Sequence, residues 1–116
     1  MNKENIVKKN LDFQRIIKNN KPYKYKDYVL YAEKNNDNNY HFGFSVGKKI
    51  GKAVIRNKIK RQLKSIVSKK DYQNGFNCII IVGSNILNKT YLEMEKNLLE
   101  VLTKLDLIKE KRDDQI

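Results

Sequence analysis

The chain has 116 residues, with 25 Lys or Arg against 13 Asp or Glu, a formal net charge of +12. That length suits one compact domain, and the 40% hydrophobic share supplies a modest core and argues against wholesale disorder. The longest apolar runs are five residues, the N-terminus has no signal-peptide core, and the lone Cys78 excludes an internal disulfide or a cysteine zinc site. A soluble, cytoplasmic protein without a membrane partner is expected.

In chain order, Leu11 to Asn19 predicts a short helix, with Asn10 available as its N-cap and Phe13, Ile16 and Ile17 on one face. The segment Asn19-Asn20-Lys21-Pro22 ends it. Tyr28 to Ala32 is rich in strand formers, and an Asn-rich turn, Asn35 to Asn39, follows. Tyr40 to Val46 alternates, with Tyr40, Phe42, Phe44 and Val46 on one side, so the two segments predict an antiparallel hairpin. After the glycine-punctuated loop Gly47 to Lys52, Ala53 to Ser68 reads as a helix. Phe76 to Val82 reads as a strand buried on both faces. Thr90 and Glu93 form a capping-box signal for a last helix through Leu105. The expectation is an α+β fold of order α-β-β-α-β-α, helices on a small mixed sheet. Residues 1–109 would be one domain and residues 110–116 a disordered tail.

Charge is unevenly placed. From Asn38 to Lys70 there are ten basic residues and no acidic one, while Asp71 to Ile116 is slightly acidic. A short run of like charge is usually a solvated face, but 33 residues without a carboxylate suggest a surface facing a polyanion. On the helix from Ala53, Ile55, Ile59, Leu63 and Ile66 fall within about 80° of one another. Burial of each would contribute roughly 1.5–3 kcal/mol. Arg56, Lys60, Lys64, Asn57 and Arg61 occupy the other side, with Lys58 beside them and no acid one turn away. Such crowding costs stability unless an anion neutralises it. Lys48, Lys49 and Lys52 extend the basic surface along the loop. The Gly43 to Lys49 spacing is one residue short of a Walker A loop and lacks its Ser or Thr.

Bases stack on flat side chains beside cations, and Phe13, Tyr28, Tyr31, Tyr40, Phe42 and Phe44 are the candidates. Taken singly, each is more simply a packing residue. Tyr31 shares its strand face with Asp27, Val29 and Glu33, so it is expected to be the exposed one. Machinery for catalysis is sparse: His41 is the only histidine, Glu93 and Glu95 diverge on a helix, and Cys78 sits in the buried strand. The polypeptide is expected to bind RNA without cutting it and to hold no metal of its own.

The run Lys48-Lys49-Ile50-Gly51-Lys52-Ala53-Val54-Ile55-Arg56-Asn57-Lys58-Ile59-Lys60-Arg61 closely resembles the signature of the bacterial ribonuclease P protein subunit. The resemblance extends through Asp12-Phe13, Tyr28 to Tyr31, Gly43 to Val46, Ile79 to Val82 and Thr90 to Glu93, about residues 8–105. It implies a subunit that does no chemistry itself, one per RNA, partnered with a catalytic RNA rather than with DNA. That RNA removes the 5′ leader of precursor tRNA by Mg²⁺-dependent hydrolysis. It further implies RNA contacts at Lys48, Lys49, Lys52, Arg56, Asn57, Lys58, Lys60, Arg61 and Lys64. The leader cleft would hold Phe13, Ile17, Tyr31 and Ser45. A left-handed βαβ crossover is also implied, against the usual right-handed preference. Departures include Ile17 where many members carry an aromatic, Gly47 where serine is common, and Gly83-Ser84-Asn85 where Arg or Lys is frequent. Lys58 and Lys64 replace frequent arginines and lose a bidentate phosphate grip. A ribosome-associated or other general RNA-binding module is the alternative that the same basic face allows.

Overall fold

A computed structural model describes residues 1–109. Its elements are α1 (Asn10–Asn19), β1 (Tyr23–Tyr25), β2 (Tyr28–Lys34), β3 (Tyr40–Ser45), α2 (Ala53–Val67), β4 (Phe76–Val82) and α3 (Tyr91–Lys104). Short 3-10 turns occupy Lys3–Asn5, Lys48–Ile50 and Ser84–Asn88. The α+β class and helix-on-sheet packing match expectation, while the tail expected over residues 110–116 lies outside the described residues.

The strand order is β1-β2-β4-β3, which corrects the expected β2–β3 hairpin. β4 lies between them, antiparallel to β2 and parallel to β3. The connection from Asn35 to Asn39 therefore spans two strand spacings, about 10 Å. Its two ends hold the start of β4 in the gap: the Asn35 amide donates to the Gly75 carbonyl and the Gly75 amide to the Asn39 carbonyl, both at 2.8 Å. The reason is burial. Phe76 to Val82 is almost wholly apolar and shielded on both sides, with Ile81 alone partly open, so it takes the centre of the sheet. The chain passes from β3 through α2 to the parallel β4, so a βαβ crossover is present.

β1 was not foreseen. It pairs with β2 through a turn at Lys26-Asp27, with Lys26 at φ 51° and its Nζ donating to Asn97 Oδ1 at 3.1 Å. Three residues without a Gly or Asn-Gly turn give too weak a signal. Asn10 is also not the cap of α1. It is the first helical residue, and Lys9 precedes it without a side-chain cap.

One sheet face carries Tyr28, Leu30, Phe42, Phe44, Cys78, Ile80 and Val82, packed with α2 and α3 into the main core. α2 contributes Ile59, Leu63, Ile66 and Val67, and α3 contributes Met94, Leu98, Val101 and Leu102. The stripe on α2 is thus shifted: Val67 belongs to it and Ile55, 40% exposed, does not. The first turn of α2 overhangs the core, and Ile55 instead lies against Gly51, where an added Cβ would come 3.2 Å from its Cδ1. The capping box at α3 is present, with Thr90 Oγ1 accepting from Glu93 N at 3.1 Å and Glu93 Oε1 accepting from Thr90 N at 2.9 Å.

Candidate RNA interface

The second face of the sheet is covered by α1, which packs on β2 and β4. Strand register arranges this face in rows. Tyr31, Ile79 and Gly43 stand side by side, then Val29, Ile81 and Ser45 nearer the end from which the basic loop leaves. Glu33, Asn77 and His41 form the row at the other end. α1 buries Ile16 completely and leaves Phe13 and Ile17 half-buried. The Phe13 ring lies on Gly43, so that a Cβ there would come 2.8 Å from Phe13 Cζ and 2.6 Å from Ile79 Cδ1. Beyond α1, Val29, Tyr31, Ser45 and Ile81 remain partly open to solvent. The result is a shallow apolar cleft with two aromatic rings, of a kind that accepts flat bases.

The aromatic candidates now separate. Tyr28, Phe42 and Phe44 are buried in the main core, and Tyr40 joins Phe42, Tyr72 and Phe76 in an aromatic cluster. Burial pushes the Tyr28 and Tyr72 hydroxyls far above their ordinary titration range, and they donate to the Met94 and Val67 carbonyls. Phe13 and Tyr31 are left on the cleft side. The four expected cleft residues, Phe13, Ile17, Tyr31 and Ser45, lie on α1 and on the sheet face it serves. Val29, already set beside Tyr31 by strand alternation, and Ile81 also belong to this face, though neither was counted among the cleft residues. Alternation with Tyr31 and Ile79 was the signal that could have found them.

The Ser45 end of this face leads into the basic loop. β3 and β4 run parallel, so Ser45 and Val82 end together, and the turns Lys48–Ile50 and Ser84–Asn88 touch. Lys48, Lys49 and Lys52 are exposed there, and α2 follows at once. On α2, Asn57, Lys58, Arg61 and Lys64 are exposed, while Arg56 and Lys60 are half-buried. Arg56 Nε donates to the Gly51 carbonyl at 3.1 Å, which ties the loop to the first turn and leaves the outer guanidinium nitrogens for a ligand. Among the described residues, ion pairs join Arg15 to Glu33, His41 to Asp37, Lys69 to Glu95 and Lys89 to Asp27. None involves a cation from Lys48 to Lys64. Eight positive side chains thus share one surface with no carboxylate partner among the described residues, a field suited to phosphates.

The groups with chemical potential are engaged elsewhere. His41 Nδ1 lies 2.8 Å from the Glu4 carbonyl and Nε2 lies 2.6 Å from Asp37 Oδ2. Cys78 is fully buried, and desolvation pushes its thiol far above the ordinary range, so it serves as packing. Glu93 caps α3 and Glu95 meets Lys69. Among the described residues no three His, Cys, Asp or Glu side chains come together as a metal site.

The profile of the family described as Ribonuclease P matches residues 1–106. This chain belongs to the ribonuclease P protein family. A relative from Mycoplasma capricolum, named ribonuclease P protein component, is 36% identical over 108 residues, covering 90% of this chain and 99% of its own. Another from Clostridium botulinum is 37% identical over 105 residues, covering 88% and 95%. Among solved structures, the Staphylococcus aureus RNase P protein superposes with a TM-score of 0.81 at 32% identity, covering 90% of this chain and 98% of that one. The Thermotoga maritima RNase P protein gives 0.76 at 25% identity, covering 84% and 94%. The four-stranded mixed sheet with its helices is therefore the ribonuclease P protein fold. As a family member the chain is a subunit of ribonuclease P, an endoribonuclease of tRNA processing, and a general RNA-binding module outside that enzyme is not favoured.

Proposed function

We propose that the subunit works as a two-sided RNA binder. The exposed face of α2 and the Lys48–Lys52 loop hold the catalytic RNA through Lys48, Lys49, Lys52, Arg56, Asn57, Lys58, Lys60, Arg61 and Lys64. The cleft under α1 holds the single-stranded 5′ leader of precursor tRNA, with Phe13 and Tyr31 stacking on bases, Ile17 adding apolar contact and Ser45 at the mouth. The observation that carries this reading is that the loop Lys48–Lys52 joins the Ser45 end of the cleft face to the basic helix. The cleft lies on the face opposite α2, but its Ser45 end leads within three residues to Lys48 and so into the basic loop that runs on to α2, a path along which one strand of RNA could pass.

The division of labour follows from what the polypeptide offers. Phosphodiester hydrolysis needs a positioned acid, base or metal. His41, Cys78, Glu33, Glu93 and Glu95 are hydrogen-bonded, ion-paired or buried, which supports a binding rather than a catalytic role for the polypeptide. The metal and the hydrolytic step are assigned to the RNA, and the polypeptide supplies binding and orientation. One protein per RNA, acting in the cytoplasm where precursor tRNA is made, completes the reading.

The test adds the purified protein to ribonuclease P RNA at low Mg²⁺ with a leader-bearing precursor. Faster leader removal than by RNA alone is expected, and no gain would sink the proposal. Cleavage by the purified polypeptide free of RNA would instead place catalysis on the protein.

A further inference from the structure

The apolar face of Phe13, Ile16 and Ile17 turns α1 toward the sheet, and directional polar contacts refine that rotation. The directional contacts converge on one carboxylate. Glu33, at the far end of β2 with a side chain only 14% exposed, reaches back to α1. Its Oε1 accepts from Asn20 Nδ2 at 3.0 Å and Arg15 Nη1 at 3.3 Å. Its Oε2 accepts from Asn77 Nδ2 at 2.8 Å and faces Arg15 Nη2 at 3.1 Å. Arg15 therefore faces the carboxylate with both outer nitrogens, one of them hydrogen-bonded, an arrangement with orientational specificity. Asn20 Nδ2 also donates to the Ile16 carbonyl at 2.8 Å, which closes the C-terminal end of α1. Asn77 Oδ1 in turn accepts from Asn35 Nδ2 at 2.8 Å, so the network continues into the β2–β3 connection.

We propose that Glu33 is a positioning residue for the leader cleft. Its carboxylate refines the rotation of α1 over the sheet, and so fixes where Phe13 and Ile17 stand relative to Tyr31. The inference rests on the leader-cleft reading above and adds the device that shapes the cleft. Glu33 is not assigned to leader binding, because three hydrogen bonds and the second Arg15 nitrogen engage both of its oxygens. A carboxylate is required rather than any polar group. An amide here would turn its own N–H groups toward the donors of Asn20, Asn77 or Arg15, and one oxygen could not serve all three. Arg15 is the charged group facing Glu33 from α1; in the same row, His41 is turned to Asp37 and the Glu4 carbonyl.

The test measures holoenzyme affinity for a leader-bearing precursor and for mature tRNA, with Glu33→Gln and Arg15→Gln as variants. Glu33→Gln should weaken precursor binding roughly tenfold, about the loss of one stacked base, without changing affinity for mature tRNA. The two substitutions should be non-additive, because Arg15 acts through the same carboxylate. In the free protein, an α-proton of Gly43 beneath the Phe13 ring should lose its upfield NMR shift in Glu33→Gln while the amide spectrum stays dispersed. An unchanged precursor-to-mature ratio and an unchanged Gly43 shift would overturn the inference. If Glu33→Gln does not fold, Arg15→Gln, at a half-exposed partner, is read on the same ratio, and no change there overturns it equally. Failure of the leader-cleft reading is distinguishable: the unsubstituted holoenzyme would then bind precursor and mature tRNA alike, and the inference would fall with it.

Discussion

The ring of Phe13 rests on the backbone of Gly43, close enough that a single methyl group at Gly43 would come 2.8 Å from Phe13 Cζ. Strand β3 offers bare backbone to the Phe13 ring at this point, which lets α1 lie low over the sheet.

Gly43→Ala should therefore lift α1. The added Cβ would also meet Ile79 Cδ1 at 2.6 Å, and Ile79 is fully buried and cannot withdraw freely. Overpacking of this kind costs about 1–3 kcal/mol. A lowered urea midpoint is expected, together with weaker binding of leader-bearing precursor.

Tyr31→Ala acts on the cleft without such strain, because Tyr31 is partly open on the sheet surface. A lost base stack is worth about 1–3 kcal/mol. Precursors with long leaders should bind more weakly by that amount, and mature tRNA should bind unchanged. Equal losses for both substrates would contradict the cleft assignment.

Arg61→Ala separates folding from assembly. Arg61 is exposed on α2 and has no ion-pair partner among the described residues, so stability should move by no more than about 0.5 kcal/mol. Affinity for ribonuclease P RNA should fall, and the slope of log affinity against log salt should become shallower by about 1. For leader binding, about five phosphate contacts to a single strand imply a slope near −3.5. A slope near zero would remove the electrostatic account.

Acid should loosen α1. Burial raises the Glu33 carboxyl, but hydrogen bonds from Asn77, Arg15 and Asn20 outweigh it and hold the group below its ordinary value of 4.5. A depressed folded value means the contribution is fully present above 4.5 and is lost as pH falls through the lower folded value. Glu93, held down chiefly by the Thr90 backbone and side-chain hydrogen bonds, adds to the same trend. Urea midpoints measured from neutral pH down through that window should fall. The fall should be smaller in Glu33→Gln, which has no such proton to take up.

Leu63→Ala probes the packing beneath the basic face. Leu63 is completely buried in the main core, and such truncations cost about 2–5 kcal/mol. RNA assembly should fail in step with folding, unlike Arg61→Ala, and circular dichroism against temperature would show it.

Much of the interface was legible because helix and strand periodicity are local. The basic side of α2, its opposition to Ile59, Leu63 and Ile66, and the partial exposure of Tyr31 against the burial of Tyr28 all follow from side-chain direction along one element. Ile55 misled because periodicity does not say where a helix overhangs its core. The hairpin misled because alternation in β2 and β3 says which faces are apolar and nothing about which strand is the neighbour. The Glu33 network was invisible for a related reason, since Glu33 and Asn77 are 44 positions apart.

The sequence by itself determined that this protein concentrates its positive charge on one helix and the loop before it, since charge and periodicity are properties of consecutive residues. Tertiary structure alone decided that β4 enters between β2 and β3, that Gly43 lies beneath Phe13, and that one carboxylate grips α1. Those are contacts between distant segments. They are selected when the most apolar strand takes the buried centre of the sheet and polar groups brought beside it must find partners.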